Sequence, residues 1–292
     1  MRRVLAAVAF VALVCGIVPL VGSESASTAT LAFGRAHRRF QPLDGKVYVL
    51  IVGNDARSGN PDNVRADALH LVGFNVNTGR GGIINFPRDS YVPIPGSGTA
   101  RINESLNRGG PDLVVQTVES LTGIKIDYWI MTGFVGFQGM LDELGEVRYH
   151  IDRDIFDPTG SGARLKKGTD SLKSWQALAY VRTRHNFPNG DIDRTTNQAK
   201  FLLALLQKFQ RVIDRNPAEL LDWMAAVQKH TRLNPGPDEL FKLAILASQV
   251  EPRKVKSVTV PVTLGSAGAA SVVFIQPEAQ GIYNRLKSRG SL

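Results

Sequence analysis

Four short segments of the chain combine carboxylates with arginines at points where a strand or a helix is predicted to begin or end. They are Gly53-Asn54-Asp55-Ala56-Arg57, Arg65-Ala66-Asp67, Pro87-Arg88-Asp89-Ser90, and Arg182-Thr183-Arg184-His185 with the following Asp191-Ile192-Asp193-Arg194. Asp55 and Asp67 flank two neighbouring strands, and a hard divalent cation such as Mg²⁺ or Mn²⁺ relieves the repulsion between two close carboxylates. Mg²⁺ in proteins is held by one or two carboxylates, with water and phosphate in the remaining positions. Each charge taken singly is more typical of a solvated surface or a helix cap, but their joint occurrence at strand and helix ends favours a divalent-metal phosphate site.

The arginines of these segments are predicted to bind phosphate oxygens, because a guanidinium presents a planar fork of donors. Arg88, Arg182, Arg184 and Arg194 form this set. Residues two apart on a helix point about 200° away from each other, so Arg182 and Arg184 converge only at a helix end or in extended chain. Arg194 and Gln198 are four apart and are therefore expected on one face of a helix.

The elements that position these residues follow from the apolar pattern. Apolar runs predict strands at Val47–Val52, Ala68–Phe74, Gly82–Phe86, Val147–Ile151 and Val255–Thr263. Helical periodicity predicts helices at Pro111–Leu121, at Phe134–Leu144, around Trp175–Val181 and from Arg194 to Ile213, and two further helices that begin at Pro217 and Asp238. Strands that alternate with helices indicate an α/β fold. We therefore expect a single α-β-α sandwich domain around a mixed central sheet over residues 46–285, followed by a tail over residues 286–292.

Composition limits the function classes. The 292 residues include one cysteine and five scattered histidines, and the net charge is +9. One cysteine excludes a disulfide framework and a cysteine-rich metal site, and the histidines lack the spacing of a histidine metal centre. The positive charge favours an anionic partner such as a phosphate, an acidic polymer or a lipid headgroup. Nucleic acid is the alternative for a basic chain, but no helix-turn-helix pattern or basic stripe is visible, so we expect no nucleic acid partner.

The N-terminus predicts export. Val4–Gly22 is an uncharged run of 19 residues preceded by Arg2 and Arg3, which is long enough for a helix that crosses a bilayer. The positive flank predicts a cytoplasmic N-terminus, with the rest of the chain outside the cell membrane. We expect an anchor over residues 1–22 and a polar tether over residues 23–45. A secretory signal cleaved near Ser27-Thr28-Ala29 is the alternative, and it places the domain in the same compartment.

Longer motifs carry a resemblance to a known family. They are VLIVGNDAR (Val49–Arg57), RADALHLV (Arg65–Val72), IINFPRDSYVPIPG (Ile83–Gly96), RINES (Arg101–Ser105), GGPDLVVQTVESLTGIKIDYWI (Gly109–Ile130), LKKGTDSL (Leu165–Leu172), QALAYVRTRH (Gln176–His185) and GDIDRTTNQAKFL (Gly190–Leu202). The stretch from about Lys46 to Gln207 thereby resembles the LytR-CpsA-Psr family, bacterial enzymes that transfer glycopolymers to the cell wall. The predicted anchor and exported domain are also similar to the layout of that family.

The resemblance implies a phosphotransferase. It would move a glycopolymer together with its phosphate from a polyprenyl-pyrophosphate-linked donor to a peptidoglycan hydroxyl and release polyprenyl phosphate. By motif position, Asp55 and Asp67 match the Mg²⁺-associated aspartates of the family. The residues that match its pyrophosphate-binding set are Arg88, Arg182, Arg184, Arg194 and Gln198. We expect Asp55 or Asp89 to take the proton of the acceptor hydroxyl.

The resemblance also implies a hydrophobic cleft for the lipid. Phe134, Phe137, Trp175 and the apolar face of the helix after Arg194 are candidates to line it, and packing in an ordinary core is the alternative for each.

One position departs from the family pattern. Where members have R-x-x-R-Q, this chain reads Arg194-Thr195-Thr196-Asn197-Gln198, so Asn197 stands in place of an arginine.

Two other functions compete with the transferase. One is a lipid-pyrophosphate hydrolase that uses water as the acceptor, and the other is a non-catalytic protein that binds or assembles wall polymer.

Overall fold

A computed structural model describes residues 45–56 and 64–292. The strands are β1 (Lys46–Asn54), β2 (Ala66–Asn75), β3 (Arg80–Asn85), β4 (Tyr91–Ile94), β5 (Gly98–Arg101), β6 (Tyr128–Thr132), β7 (Val147–Arg148), β8 (Ile155–Asp157), β9 (Ala163–Leu165), β10 (Ser171–Leu172), β11 (Arg232–Leu233), β12 (Val255–Thr259), β13 (Val262–Ala267) and β14 (Ala270–Ile275). The helices are α1 (Glu104–Thr122), α2 (Phe134–Leu144), α3 (Ser174–Arg182), α4 (Asp191–Arg215), α5 (Glu219–His230), α6 (Pro237–Gln249) and α7 (Ala279–Arg289).

Six of the strands form one mixed sheet in the order β11-β6-β1-β2-β3-β12. β1 is parallel to β6, and β3 is parallel to β12. β2 runs antiparallel to both of its neighbours. The C-terminal ends of β1, β3, β6 and β12 therefore meet the N-terminal end of β2 at one edge, which we call the carboxyl edge. The remaining eight described strands form four two-stranded ribbons.

Helices cover both faces of this sheet, which confirms the predicted sandwich. On one face Leu50 and Leu71 pack with Val118 of α1 and Leu286 of α7. On the other face Val49 packs in a cluster with residues of α4 and α6. The apolar run in β1 predicted this burial, because a strand buried on both faces has no polar side to alternate with.

Several element boundaries differ from the prediction. The predicted strand Val255–Thr263 divides after Thr259, and the chain from Val262 onward pairs with β14 in a separate hairpin. The predicted strand Val147–Ile151 contains only the two residues of β7, which pair with β10 outside the central sheet. α1 begins at Glu104 rather than at Pro111, with a break at Gly109 and Gly110, and Gly110 has φ +67°.

The C-terminal boundary at residue 285 was wrong. α7 continues to Arg289, and the side chain of Leu286 is fully buried. Gly73 and Gly82 are paired on β2 and β3, and a Cβ atom on either glycine would collide with Leu286. A Cβ atom on Gly82 would also collide with Leu292. Because Gly73 and Gly82 have no side chains, Leu286 and Leu292 can pack against the sheet, although the prediction assigned both to a tail.

The predicted anchor over residues 1–22, the tether up to residue 44 and Arg57 lie outside the described residues. Within residues 45–56 and 64–292, no helix is both long and apolar enough to cross a membrane.

Candidate functional site

The predicted site residues gather at the carboxyl edge of the sheet. Asp67 reaches it through a β-bulge: Gly53 pairs with Ala68 and Asn54 pairs with Ala66, so Asp67 is the extra residue in β2. A bulge redirects a side chain and often occurs beside an active site. Arg88 and Asp89 follow β3, α3 ends at Arg182, and α4 brings Arg194 to the same edge.

Arg88 lies among three carboxylates. Its Nη1 donates a hydrogen bond to Asp67 Oδ1 at 2.6 Å. Its Nε lies 3.4 Å from Asp191 Oδ1 and 3.7 Å from Asp89 Oδ2. Burial acts to lower the pKa of Arg88, but the charges of Asp67, Asp191 and Asp89 raise it above the ordinary value. Arg88 is therefore a permanent cation held in place by acidic neighbours.

Arg194 is the most deeply buried cation of the site, with 5% of the residue exposed. Its Nη2 lies 2.7 Å from Asp191 Oδ1 and 3.4 Å from the main-chain oxygen of Asp67. Burial lowers the pKa of Arg194, while Asp191 opposes that shift. Burial also raises the pKa of Asp191, and the charges of Arg194 and Arg88 only partly offset the effect.

Asp191 and Arg101 are functional candidates to which the sequence analysis gave no role, although Asp191 lies in one of its charged segments and Arg101 in one of its motifs. Asp191 lies between Arg88 and Arg194, and the Nε of Arg101 lies 3.9 Å from Asp89 Oδ1. A signal for Asp191 was present, because it precedes Arg194 by three residues and residues so spaced share a helix face. Asp193, two residues further along, instead accepts hydrogen bonds from the backbone N–H and the side-chain amide of Asn189, just before α4.

Several buried polar atoms of this cluster lack a hydrogen-bond partner among the described residues. They are the Nε atoms of Arg88, Arg101 and Arg194 and both carboxylate oxygens of Asp191. The ion pairs given above bring these groups close together without hydrogen-bond geometry. Buried polar groups are normally satisfied. The three guanidinium donors and the two carboxylate acceptors therefore fit a ligand that presents anionic oxygens and also carries a cation or hydroxyl groups.

Asp55 lies beside this cluster. Its main-chain N–H donates to the carbonyl of Arg65, and its Oδ1 accepts from the Arg65 N–H at 2.9 Å, which extends the β1–β2 pairing by one residue. Asp55 and Asp67 thus flank the same end of two paired strands, as predicted. No group of three or more histidine, cysteine or acidic side chains in the described residues is arranged to hold a metal ion. A pair of aspartates fits Mg²⁺ when phosphate and water complete its coordination.

The two arginines at the end of α3 occupy different environments. Thr183 is extended, so the condition for the side chains of Arg182 and Arg184 to converge is met. Arg182 stacks on the ring of Phe134 at 4.4 Å and donates to the carbonyl of Ser161 at 3.4 Å. Arg184 is exposed, and its charge contributes to the lowered pKa of Arg194.

A cavity of about 110 Å³ joins the charged cluster to an apolar interior. Its polar lining includes Asp67, Arg182, Arg194 and Gln198, and its apolar lining is formed by Ile51, Val52, Phe134, Phe137, Leu178, Val181, Phe201 and Leu202. A cavity of roughly 150 Å³ holds one benzene ring, so this volume takes only a few carbon atoms of a chain. Trp175 does not line the cavity and is 49% exposed.

His70 lies at the base of the cavity and is 1% exposed. Its Nδ1 lies 2.8 Å from Asn85 Oδ1, and the Asn85 Nδ2 donates to Ser257 Oγ. Burial lowers the pKa of His70 to about 4, and the hydrogen bond with Asn85 only partly opposes this shift. Because an amide oxygen accepts, Nδ1 carries the proton of this neutral ring, and Nε2 is an acceptor directed away from Asn85.

Asn197 and Gln198 are also buried. Gln198 Nε2 donates to the carbonyl of Val181 at 3.0 Å, which ties α4 to α3. Gln198 Oε1 and Asn197 Nδ2 have no hydrogen-bond partner within the described part of the chain. The Asn197 amide therefore occupies a buried position where the family pattern has a guanidinium.

Comparison with known proteins assigns the chain to a family. The model of the LytR_cpsA_psr family matches residues 20–288. The chain belongs to the LytR_cpsA_psr family. This match confirms the resemblance drawn from the sequence motifs.

Relatives within the LytR_cpsA_psr family include named transferases and a named regulator. The polyisoprenyl-teichoic acid–peptidoglycan teichoic acid transferase TagT of Bacillus subtilis (strain 168) is 36% identical over 179 residues, which cover 59% of this chain and 55% of TagT. The regulatory protein MsrR of Staphylococcus aureus (strain COL) is 29% identical over 221 residues, covering 75% of this chain and 65% of MsrR. The chain thus spans less than two thirds of the length of either relative. The solved structure of TagT bound to LI-WTA has a TM-score of 0.71 at 26% identity, covering 87% of this chain and 94% of the other.

Proposed function

We propose that the protein is a phosphotransferase that moves a glycopolymer with its phosphate from a polyprenyl-pyrophosphate donor to a hydroxyl of peptidoglycan. One observation carries the proposal: the buried guanidinium of Arg194 and the half-buried one of Arg182 line a cavity whose wall is otherwise mostly apolar. A ligand that satisfies both parts has an anionic head and a hydrocarbon chain. The names of TagT and of the solved TagT complex support a cell-wall glycopolymer as the cargo.

The arginines bind the pyrophosphate in this proposal. Arg88 and Arg194 are paired with Asp67 and Asp191 in the structure, and each also keeps a buried Nε donor without a hydrogen bond from the described residues. Phosphate oxygens would accept hydrogen bonds from these donors, and the exposed guanidinium of Arg184 would add further N–H donors from the solvent side. In phosphoryl transfer, charge accumulates on the equatorial and leaving oxygens, so fixed guanidinium groups stabilise the transition state.

Asp55 and Asp67 would hold Mg²⁺ or Mn²⁺ next to these arginines. The Oδ1 atom of each accepts one hydrogen bond, from the Arg65 N–H and from Arg88 respectively, which orients the carboxylates. When bound, the cation supplies charge neutralisation at the pyrophosphate.

The transfer step exchanges one phosphorus–oxygen bond for another. The acceptor hydroxyl oxygen forms a bond to the phosphorus that carries the glycan, and the bond from that phosphorus to the bridging oxygen breaks. Polyprenyl phosphate leaves with the electron pair, and the hydroxyl proton passes to a carboxylate. We assign this proton to Asp89 or Asp55. Asp89 has 28% of its side chain exposed and lies 3.7–3.9 Å from the nearest guanidinium nitrogens, so one face of the carboxylate is open to an acceptor.

The location follows from the same chemistry. A polyprenyl donor lies in a membrane, and peptidoglycan lies outside it, so we place the domain on the extracytoplasmic side, tethered by the anchor predicted over residues 1–22.

The test is a transfer assay with the full chain, a short-chain polyprenyl-pyrophosphate oligosaccharide and peptidoglycan fragments, read by mass spectrometry. We expect release of polyprenyl phosphate to require both acceptor and Mg²⁺, with phosphate recovered on the glycan. EDTA and Arg88→Lys are expected to abolish or strongly reduce release. Arg108→Lys is the matched control, because Arg108 pairs with Glu104 on the surface of α1.

Three results contradict the proposal. Release without acceptor indicates the hydrolase, and release in EDTA removes the role of the metal. Binding of polymer without release across a panel of donors indicates a wall-binding protein.

A further inference from the structure

The turn between β8 and β9, residues 157–162, lies against the chain that carries the two arginines at the end of α3. Asp157 is the last residue of β8 and is 4% exposed, so its carboxylate is buried inside the turn. Its Oδ1 accepts a hydrogen bond from the Gly160 N–H and its Oδ2 accepts one from the Ser161 N–H, both at 3.1 Å. A Cβ atom on Gly160 would lie 2.5 Å from Oδ1, so the turn closes tightly around this carboxylate.

The turn contacts the segment of residues 182–185 at three points. Ser161 Oγ and Thr183 Oγ1 are 2.7 Å apart in a buried hydrogen bond, and the main-chain oxygen of Ser161 accepts from Arg182 Nη1 at 3.4 Å. His185 Nδ1 lies 3.1 Å from Asp157 Oδ1. Burial acts to raise the pKa of Asp157, but the hydrogen bonds from His185 and Ser161 lower it below the ordinary value, so the ionised carboxylate only accepts.

The guanidinium of Arg184 has no support of its own. It is exposed and forms no hydrogen bond or ion pair with the described residues. Thr183 is extended and buried, and the neighbours of an extended residue point to the opposite side of the chain. Because the turn fixes the side chain of Thr183, it directs those of Arg182 and Arg184 away from itself. Arg182 accordingly lines the cavity, and the charge of Arg184 acts on Arg194.

We propose that Asp157 and Ser161 are positioning residues for the anion-binding arginines Arg182 and Arg184. The turn holds the chain on both sides of Arg184, so the backbone that carries this guanidinium is already ordered when a pyrophosphate binds. The role in pyrophosphate binding rests on the proposed function, whereas the hold of the turn on the chain does not. Ordering a segment during binding reduces affinity, by about 2- to 12-fold for each long side chain.

The experiment is a calorimetric titration of the full chain with inorganic pyrophosphate, which involves no turnover. Asp157→Asn replaces one acceptor oxygen by an NH₂ group that faces N–H donors, and Ser161→Ala removes the hydrogen bond with Thr183 but leaves the main-chain contacts. We expect each substitution to weaken pyrophosphate binding by about 2- to 12-fold. Asp170→Asn is the matched control, because Asp170 forms an exposed pair with His150, 2.5 Å from Oδ1 to Nδ1.

A comparison in two backgrounds separates positioning from a general loss of stability. In Arg184→Ala, the effect of Asp157→Asn is expected to be smaller than in the unaltered protein, because one of the positioned side chains is absent. In Arg88→Lys the effect is expected to be unchanged, because Arg88 is held by Asp67 and not by the turn. Equal losses in all three backgrounds would show that Asp157 supports only the fold and would overturn the proposal. Ser161→Ala carries the same comparison where Asp157→Asn does not fold.

Hydrogen exchange tests the hold of the turn directly. The amides of Thr183 and Phe187 donate to the carbonyls of Tyr180 and Arg184. We expect both amides to exchange faster in the two turn variants and at the unaltered rate in the control variant. Unchanged exchange in the turn variants overturns the proposal. If the unaltered protein does not bind pyrophosphate, the proposed function loses its arginine site, and the exchange rates still decide whether the turn holds this segment.

Discussion

Replacing Asp191 by Asn removes the negative charge that lies between two buried guanidinium groups. Asp191 Oδ1 is 2.7 Å from Arg194 and 3.4 Å from Arg88. Arg88 retains Asp67 at 2.6 Å, but among the described residues Arg194 retains only the main-chain oxygen of Asp67, at 3.4 Å. The effect of the substitution therefore falls mainly on Arg194.

Removal of one partner from a buried ion pair typically destabilises a protein by roughly 3–5 kcal/mol. Asn keeps an oxygen that can face Arg194, so we expect a value near the lower limit, about 3 kcal/mol. For a domain of this size, about 3 kcal/mol lowers the melting temperature by roughly 6–12 °C. Asp193→Asn is the matched control two residues away: it weakens exposed hydrogen bonds from Asn189, which are worth about 1 kcal/mol, and leaves Arg194 paired.

Inorganic pyrophosphate distinguishes a functional anion site from a purely structural ion pair. In the unaltered protein a phosphate has to compete with Asp191 for Arg194, whereas in Asp191→Asn this competition is absent. We therefore expect pyrophosphate to raise the melting temperature of Asp191→Asn more than that of the unaltered protein or of Asp193→Asn, in differential scanning fluorimetry. Equal stability of Asp191→Asn and the unaltered protein, or an equal response of all three to pyrophosphate, would refute the reasoning.

Three further predictions test other parts of the site. Burial lowers the pKa of His70 from 6.5 to about 4. The neutral ring therefore contributes fully to the free energy of unfolding above pH 6.5, and this contribution falls by about 3 kcal/mol as the pH drops to 4. Urea titrations of His70→Gln are expected to lack this part of the pH dependence. Gly133→Ala places a Cβ atom 2.7 Å from Asn54 Oδ1, so we expect urea titration to show a destabilisation of about 1–3 kcal/mol. Gly281→Ala is the control: this glycine lies in a helix with open space around it, so the substitution is expected to be neutral or stabilising. Arg184→Lys keeps the charge but loses the planar fork, so we expect turnover to fall by about 100- to 1000-fold with the melting temperature unchanged; turnover at the unaltered rate would remove Arg184 from the site.

Local signals explain which parts of the fold the sequence predicted. The apolar run of β1 and the ends of α1 and α2 depend on a few adjacent residues. The predicted last residues of the two helices, Leu121 and Leu144, lie within one residue of the observed ends at Thr122 and Leu144, each of which directly precedes a glycine. Gly123 has φ +66°, the left-handed conformation that favours glycine after a helix. These features require no knowledge of what packs against them.

The parts that the sequence did not predict depend on contacts between distant segments. The strand pattern placed Asp67 near the N-terminal end of β2, but the bulge that redirects its side chain is visible only in the pairing of β2 with β1. Asp191 lay in one of the predicted charged segments without a role of its own, and its central position depends on Arg88, more than a hundred residues earlier. Arg182 was identified as a phosphate ligand by its type, but its stacking on Phe134 requires α2 and α3 to be adjacent.

We expect the charged cluster to serve ligand binding more than stability. Each buried polar group left without a partner costs about 1–3 kcal/mol, and the Nε atoms of Arg88, Arg101 and Arg194 are in that state with respect to the described residues. Their sum is comparable to the roughly 5–15 kcal/mol that separates a folded protein from its unfolded state. Apolar residues of similar volume would usually be neutral or stabilising in place of a buried ion pair. Since departures from local packing rules concentrate at functional sites, an anionic ligand that completes these donors is expected to stabilise the fold as it binds.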